Sequence, residues 1–175
     1  MNNAGIAVSA PLEAIPLDAL REQFEINTFG ALAVTQAMLP MLRRTLGRIV
    51  MISSVQGRLA APFVGPYAAS KHALEALSDS LRAELLPSGV DVVVIEPGAV
   101  KTPIWERGTK LGLALGEAMD PVVRARYAAD IAMMTRVAEA FASRGIAPER
   151  VAAAVAHALT AHKPRTRYVV GLDAK

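Results

Sequence analysis

Two short apolar runs, separated by one long helix-forming segment, constrain the fold of this chain most strongly. Residues 49–52 have the sequence IVMI and residues 92–95 have the sequence VVVI. Such continuous runs are typical of strands that are buried on both faces of a parallel sheet. Between them, residues 67–86 contain no glycine or proline and end at the helix breakers Pro87 and Gly89. A strand, a long crossover helix and a second strand form a βαβ unit, so the sequence predicts an α/β fold.

A long helix is also predicted upstream of this unit. Asp18 is a suitable N-cap for a helix that runs to about Thr45. Gly30 lies inside this helix and Pro40 lies near its end, and both residue types weaken or bend a helix. We therefore expect a kink or a break in it.

Downstream of the βαβ unit the sequence becomes richer in glycine and loses its regular apolar pattern. Residues 102–116 carry Gly108, Gly112 and Gly116 with little periodicity, which predicts a flexible flap. Helices and one last strand are expected beyond it, over residues 121–143, 148–162 and 167–170.

The composition excludes several functional classes. The chain has no cysteine, which rules out a disulfide framework, a zinc–thiolate site and a cysteine nucleophile and fits a cytoplasmic protein. No apolar run of about 18 residues and no signal peptide is present, so we expect no membrane insertion. The net charge is +3, but the basic residues are scattered and lack aromatic partners, so no nucleic-acid partner is expected. No metal site is predicted.

Tyr67 and Lys71 are the first pair of residues that could carry chemistry. Their i, i+4 spacing at the start of the crossover helix places both side chains on one face, about one turn apart. A free tyrosine titrates near a pH of about 10, and a close ammonium favours the phenolate, so the pair could exchange a proton near neutral pH. The spacing alone is weak, because most Tyr/Lys pairs on helix surfaces have no chemical role.

Ser54 closes the first predicted strand and precedes Tyr67 by thirteen residues. In an open parallel sheet, ligands bind at the carboxyl ends of the strands, so Ser54 and the start of the next helix can meet over one crevice. A hydroxyl there could donate to a carbonyl oxygen while Tyr67 delivers the proton. The alternative is that Ser54 forms a turn or caps a helix.

Five segments in the right order and spacing give the chain a family resemblance. Together they resemble the second half of the short-chain dehydrogenase/reductase family, which implies the C-terminal portion of a Rossmann-like, doubly wound parallel sheet that lacks the first βα units. The segments are residues 2–5 (NNAG), 27–30 (NTFG), 47–57 (GRIVMISSVQG), 66–71 (PYAASK) and 95–98 (IEPG) with Thr102.

The resemblance implies a role for each matching residue. Tyr67 is the general acid/base, Lys71 lowers its pKa and holds the nicotinamide ribose, and Ser54 orients and polarises the substrate oxygen. Asn27 interrupts its helix and holds a water that links Lys71 to solvent. The residues that would contact NAD or NADP are Asn3, Ala4 and Gly5 on the adenosine side and Pro97, Gly98, Val100 and Thr102 at the nicotinamide ring, with Tyr67 and Lys71.

The chain departs from the family at its start. No glycine-rich turn follows a first strand, and no residue selects between a ribose hydroxyl and a 2′-phosphate, so NAD and NADP stay open. We interpret Gly108, Gly112 and Gly116 as sites of flexibility and not as that turn. Only Met1 precedes Asn2, where the family often has valine. We therefore expect a chain that lacks three βα units, about 90 residues at about 30 per unit.

The leading hypothesis is an oxidoreductase that transfers a hydride between a nicotinamide cofactor and a secondary alcohol or ketone. The IEPG segment and the ending RYVVGLDAK (residues 167–175) are similar to the branch that acts on steroids, retinoids and hydroxybutyrate, so an apolar substrate is expected. Ser54, Gln56 and Trp105 are candidate substrate contacts. Further residues could line an apolar pocket or be ordinary core: Leu111, Leu113, Leu115, Met133 and Met134. The alternatives are a non-catalytic remnant without nucleotide binding and a 3-oxoacyl-thioester reductase.

The resemblance also implies a domain organisation and a partner. We expect a single domain over residues 1–175, in which residues 102–147 form a flexible flap and helices on the substrate side. The family pairs subunits through the helices that carry Asn27 and Tyr67, so a homodimer or homotetramer is expected.

Overall fold

Three parallel strands form the sheet of the computed structural model, which describes residues 1–171. The strands are β1 (Arg48–Ile52), β2 (Asp91–Pro97) and β3 (Arg167–Val170), in the order β1-β2-β3. β2 lies in the centre and is buried from Val92 to Pro97, which explains its unbroken apolar sequence. All three predicted strands are confirmed. The last part of the family-like ending, residues 172–175, lies outside the described residues.

Asn2 lies beside β1 on the edge away from β2. Its N–H donates to the Val50 carbonyl at 2.8 Å, and its own carbonyl accepts from the Ile52 N–H at 2.9 Å. Asn2 thereby forms a parallel bridge with Met51. Residue 2 therefore extends the parallel pairing on the free edge of β1.

Helices account for most of the remaining chain. The crossover helix is confirmed within two residues of its predicted bounds. The helices are α1 (Leu17–Phe24), α2 (Gly30–Thr45), α3 (Gly65–Leu85), α4 (Ile104–Glu117), α5 (Pro121–Arg144) and α6 (Pro148–Thr160), with 3₁₀ turns at Val55–Gly57 and Leu86–Ser88. In residues 1–171, no helix is both long and apolar enough to cross a membrane.

The two faces of the sheet build two apolar cores, because successive side chains of a strand point in opposite directions. One face packs Met51 and Val94 against Leu74 and Leu81 of α3, with α2 beside them. The other face packs Ile95 and its alternate neighbours against α6. Helices therefore cover both faces, as in a Rossmann-like fold.

The first helix differs from its prediction at two points. Its N-cap is Pro16, and Asp18 lies inside the first turn, where it pairs with Arg21 at 2.6 Å instead of capping the helix. The helical path continues through Gly30 and Pro40, and the irregularity is a π-helical segment, Glu25–Phe29, between α1 and α2. A π-bulge of this kind is frequent at functional sites.

The segment predicted to be a flexible flap forms the helix α4. Gly108 and Gly112 lie one turn apart on one face. A Cβ at either position would lie 3.1 Å from a backbone carbonyl oxygen, that of Ala7 or that of Ser9. These two glycines therefore allow close approach of α4 to residues 7–9, and the flexibility of the segment stays a prediction.

The two helices that follow confirm their predictions. Asp120 caps α5, since its carboxylate accepts from the Val122 N–H at 2.9 Å and the Val123 N–H at 3.3 Å. α6 begins at Pro148, as expected from the preference for proline in a first helical turn.

Candidate active site

Ser54 lies where β1 ends and the chain turns toward α3. Its hydroxyl oxygen accepts from the Gln56 N–H at 3.2 Å, which caps the 3₁₀ turn Val55–Gly57. The same oxygen lies 3.5 Å from the Pro97 carbonyl oxygen at the end of β2. The capping role that the sequence left open is therefore real, and it also fixes the hydroxyl at the carboxyl end of two adjacent strands.

Tyr67 and Lys71 lie on the first two turns of α3, facing the same strand ends. Lys71 is 4% exposed, and its ammonium donates to the Ile52 carbonyl at 2.8 Å and lies 5.7 Å from the centre of the Tyr67 ring. The Tyr67 hydroxyl is hydrogen-bonded to the Ser54 side chain. The structure thus brings Ser54, Tyr67 and Lys71 into one place.

The proton affinities of this pair are set by burial. Burial raises the pKa of Tyr67 above its ordinary value, and the hydrogen bond from Ser54 opposes this shift. The expectation that Lys71 lowers the tyrosine pKa stays a prediction, because burial sets the net direction here and the Lys71 ammonium donates to the Ile52 carbonyl. Burial lowers the pKa of Lys71 to about 8, and the Glu75 carboxylate opposes this shift.

A single cavity of about 920 Å³ opens over these side chains. Gly5 lines this cavity, and a Cβ there would lie at ordinary contact distance, 3.8 Å, from the Lys71 ammonium. Most of the sequence-predicted site residues line the cavity: Asn3, Gly5, Ser54, Gln56, Tyr67, Lys71, Pro97, Gly98, Val100, Thr102 and Trp105. Ala4 and Asn27 do not line it.

Asn27 lies behind the cavity, inside the π-helical segment, which agrees with the expected interruption of its helix. Its side-chain oxygen accepts from the Ile6 N–H at 2.9 Å. Its amide nitrogen donates to the Ile6 carbonyl at 2.9 Å and to the Ser70 hydroxyl at 3.0 Å. Asn27 therefore joins the N-terminal segment to α3, next to the turn that carries Tyr67 and Lys71.

Sequence reasoning missed Gln23 and Ser70, which belong to the same buried hydrogen-bond network as Asn27. Gln23 accepts from the Val8 N–H at 2.6 Å and donates to the Ser70 hydroxyl at 3.2 Å. Ser70 in turn donates to the Tyr67 carbonyl at 2.8 Å. The i, i+4 pair of amides at Gln23 and Asn27 was the available signal, since two such side chains on one helix face favour a polar contact.

The segment after β2 is held from two sides. The Gly98 N–H donates to the Val170 carbonyl at 2.9 Å, and Val100 forms a parallel bridge with Ile146. The Trp105 indole N–H donates to the Val100 carbonyl at 2.7 Å, and its ring lies 5.4 Å from that of Phe141. Trp105 thus joins the segment to α5.

The remaining pocket candidates separate into two groups. Leu113 and Met134 line the cavity beside Trp105. Leu111, Leu115 and Met133 are not among its lining residues, so the pocket interpretation of these three is not supported.

The site fits the nicotinamide side of a dinucleotide. In such a complex the Lys71 ammonium would be the donor for ribose hydroxyls, and Asn3 and Gly5 line the same cavity. No glycine-rich turn between a strand and a helix occurs within residues 1–171, so these residues do not supply a pyrophosphate cradle. No cluster of three or more potential metal ligands is found in the same range.

The comparisons with known proteins assign this fold and site to a class. The family model for short chain dehydrogenases matches residues 1–110. The chain therefore belongs to the short-chain dehydrogenase family of oxidoreductases.

Individual relatives agree with this assignment. The chain is 37% identical over 175 residues to an NADPH-dependent 3-dehydrocapnine reductase of Ornithobacterium rhinotracheale, covering 97% of this chain and 59% of the relative. It is 40% identical over 181 residues to mouse retinol dehydrogenase 5, covering 100% and 57% of the two chains.

Solved structures extend the likeness to three dimensions. A short-chain dehydrogenase from Streptomyces avermitilis superposes with a TM-score of 0.76 at 30% identity, covering 99% of this chain and 60% of that one. A Burkholderia cenocepacia short chain dehydrogenase in complex with NADP gives a TM-score of 0.71 at 27% identity, covering 99% and 59%. The chain thus spans 57–60% of the length of these four proteins.

Proposed function

We propose that this protein is an oxidoreductase that moves a hydride between a nicotinamide cofactor and a secondary alcohol or ketone. The observation that carries the proposal is the meeting of Ser54, Tyr67 and Lys71 in one cavity at the carboxyl ends of β1 and β2. Parallel α/β sheets bind their ligands at this end. A hydrogen-bond donor, a proton donor and a cation within one cavity are the groups that carbonyl reduction needs.

The chain's own residues divide the work of the reaction. Ser54 orients the substrate oxygen, and Tyr67 gives it a proton in the reduction direction. Because burial raises the pKa of Tyr67, the phenol is protonated at neutral pH and ready to donate. The cofactor supplies the hydride when it is bound.

Lys71 is proposed to hold the nicotinamide ribose and to stabilise the phenolate that Tyr67 becomes. Asn27 is proposed to hold a water that links Lys71 to solvent. Pro97, Gly98, Val100 and Thr102 are proposed to position the nicotinamide ring, and Asn3, Ala4 and Gly5 to contact the adenosine side. Both NAD and NADP are candidates.

The substrate is proposed to be apolar. The part of the cavity beyond Tyr67 is walled by Trp105, Leu113, Met134 and Phe141, and such side chains stabilise an apolar ligand by removing its surface from water. The names of the relatives, which include a retinol dehydrogenase, support the same class. Helices α4 and α5, within residues 102–147, would then cover the substrate.

A homodimer is proposed through the helices that carry Asn27 and Tyr67. On α2, Val34, Met38 and Met41 follow the i, i+4, i+7 spacing of one helix face, and all three are exposed. A stripe of this kind is costly to leave in water. Light scattering on the purified protein tests the proposal, and a monomer at micromolar concentration would contradict it.

The function is tested on the full chain in two ways. Titration with NADPH and with NADH measures nucleotide binding. Turnover of apolar ketones is then compared with turnover of a 3-oxoacyl thioester, the alternative substrate class. Tyr67→Phe removes the proton donor and should lower turnover by about 10²-fold or more. Tyr127→Phe is the matched control, because Tyr127 lies outside the cavity lining. Binding of neither nucleotide would refute the proposal and support a non-catalytic role.

A further inference from the structure

A second charged residue lies one helical turn beyond Lys71. Glu75 is on the same face of α3, and its side chain is only 9% exposed. One carboxylate oxygen accepts from Arg167 at 3.0 Å, while the other is buried without a hydrogen-bond partner among the described residues. A buried carboxylate of this kind is costly unless its charge acts on something nearby.

The position of Glu75 is fixed by its neighbours and not by chance. A Cβ on Gly57 would lie 3.0 Å from Cγ of Glu75 and 3.3 Å from the Lys71 carbonyl oxygen. Only a glycine lets the turn after β1 come this close to both residues. The turn after Ser54 therefore packs directly against the helical turn that joins Lys71 to Glu75.

The other groups around Lys71 are neutral or point away. Tyr67 lies on the same helix as Lys71, and the Ile52 carbonyl faces the ammonium from β1. Glu96 and Arg58 pair with each other at 3.3 Å, farther along the sheet. Glu75 is the carboxylate that acts on the Lys71 ammonium.

Glu75 is not needed to hold Arg167. The same guanidinium also bonds Asp79 at 2.7 and 2.8 Å and Glu96 at 3.0 Å. Arg167 therefore keeps two carboxylate partners if Glu75 becomes neutral. A purely structural role for the Glu75 charge is largely redundant.

We propose that Glu75 is a positioning residue that keeps Lys71 in its charged form, with Arg167 holding the Glu75 carboxylate in place. The catalytic consequence rests on the proposed function, whereas the effect on the protonation of Lys71 does not. Burial alone drives Lys71 toward the neutral amine, which could neither hold a ribose hydroxyl as firmly nor stabilise a phenolate. Glu75, which does not line the cavity, opposes that effect from the next turn of the same helix face.

The test is a direct titration of Lys71 in the full chain. Protein labelled with ¹³C-lysine gives few signals, because the sequence has only five lysines, and the Lys71 signal is identified by its loss in Lys71→Met. The ¹³Cε shift is followed against pH in the wild type, in Glu75→Gln and in Asp79→Asn. The last is the matched control, because it removes a carboxylate from the same Arg167 two turns from Lys71.

The expected result is a fall of the Lys71 midpoint by roughly 0.5–1 pH unit in Glu75→Gln, less than for an unshielded partner because Arg167 partly neutralises Glu75. Asp79→Asn should leave the midpoint unchanged. An unchanged midpoint in Glu75→Gln, or an equal fall in both variants, overturns the proposal. If Glu75→Gln does not fold, Glu75→Met removes the same charge and is measured in its place.

Turnover separates this proposal from the proposed function. If the protein is active, the high-pH decline of kcat should move to lower pH in Glu75→Gln by the same amount as the lysine midpoint. If the protein is inactive, the proposed function fails while the lysine titration still decides the role of Glu75.

Discussion

Replacing Arg167 with methionine should destabilise the fold by about 3 kcal/mol, since charge-assisted hydrogen bonds in partly buried sites each contribute about 1.5–3 kcal/mol. The guanidinium is 25% exposed and contacts three carboxylates on two elements, Glu75 and Asp79 on α3 and Glu96 on β2. Of these, Glu75 and Glu96 have side chains that are only 9% and 3% exposed. Removal of Arg167 leaves Glu75 unpaired, while Glu96 keeps Arg58.

The estimate follows from what each carboxylate loses. Removing one partner of a buried ion pair costs about 3–5 kcal/mol, because the other charge stays buried without compensation. The lower end applies here, since Arg58 still reaches Glu96 and Asp79 is half exposed and keeps Arg82. Methionine also restores part of the packing of the arginine stem. For a chain of this size, about 3 kcal/mol corresponds to a fall in Tm of about 6–12 °C.

Thermal and urea unfolding of the wild type, Arg167→Met and Arg58→Met measure this difference. Arg58→Met is the control, because its side chain is 57% exposed and its ion pair should be worth less than about 1 kcal/mol. Equal losses in the two variants would refute the reasoning, since the argument depends on burial and not on the number of ion pairs.

The pH dependence supplies a second check on the same variant. Burial raises the pKa of Asp79, but hydrogen bonds from Arg82 and Arg167 outweigh it and hold the pKa below its ordinary 3.8. A depressed pKa means that this contribution is complete above pH 3.8 and is lost as pH falls through the lower folded value. The difference in free energy of unfolding between the wild type and Arg167→Met should therefore become smaller in that acidic range.

Three further predictions concern other parts of the fold. Gly112→Ala should lower the free energy of unfolding by about 1–3 kcal/mol, because the added Cβ overpacks against the backbone. Gly116→Ala should be neutral or stabilising, because its Cβ would meet nothing closer than 4.0 Å. Urea unfolding compares the two variants. Leu46→Gly should stabilise by roughly 0.5–1 kcal/mol in the same assay, because this residue ends α2 in the left-handed region at φ 49° with 69% exposure. Hydrogen bonds from Tyr127 and Arg126, both on α5, hold the pKa of Glu13 below its ordinary 4.5. Protonation of Glu13 weakens these contacts, so the amide protection factors of α5 in the wild type should fall as the pH drops through the pKa of Glu13 in the folded protein. In Glu13→Gln the protection factors should not change over this pH range.

The elements that the sequence predicted correctly carry their signal locally. β1, β2 and β3 are continuous apolar or β-branched runs, and the crossover helix α3 is long, rich in Ala and Leu and bounded by breakers. The motif residues Ser54, Tyr67 and Lys71 share one cavity because they follow adjacent strand and helix ends, which spacing alone can specify.

The features that sequence reasoning missed depend on contacts between distant segments. Nothing near Gly108 indicates that the backbone of Ala7 packs against it, so the glycines of α4 were interpreted as flexibility. The π-helical segment depends on Asn27 reaching Ile6 and Ser70. The pKa of Tyr67 was expected to fall because spacing shows its neighbours but not the burial that raises it.

Tyr67 and Lys71 are held in place by parts of the chain that lie far apart in sequence. The Ile52 carbonyl at the end of β1 accepts a hydrogen bond from the Lys71 ammonium. The Ser70 hydroxyl accepts from Asn27 in the π-helical segment, and Arg167 on β3 donates to the Glu75 carboxylate. All of these contacts lie within the described residues. Under the proposed function, the geometry of proton transfer is set by these contacts and not by the region that would bind the pyrophosphate. If the proposed function holds, changes in that region should alter cofactor affinity, whereas changes at Asn27, Glu75 or Arg167 should alter the pH dependence of kcat.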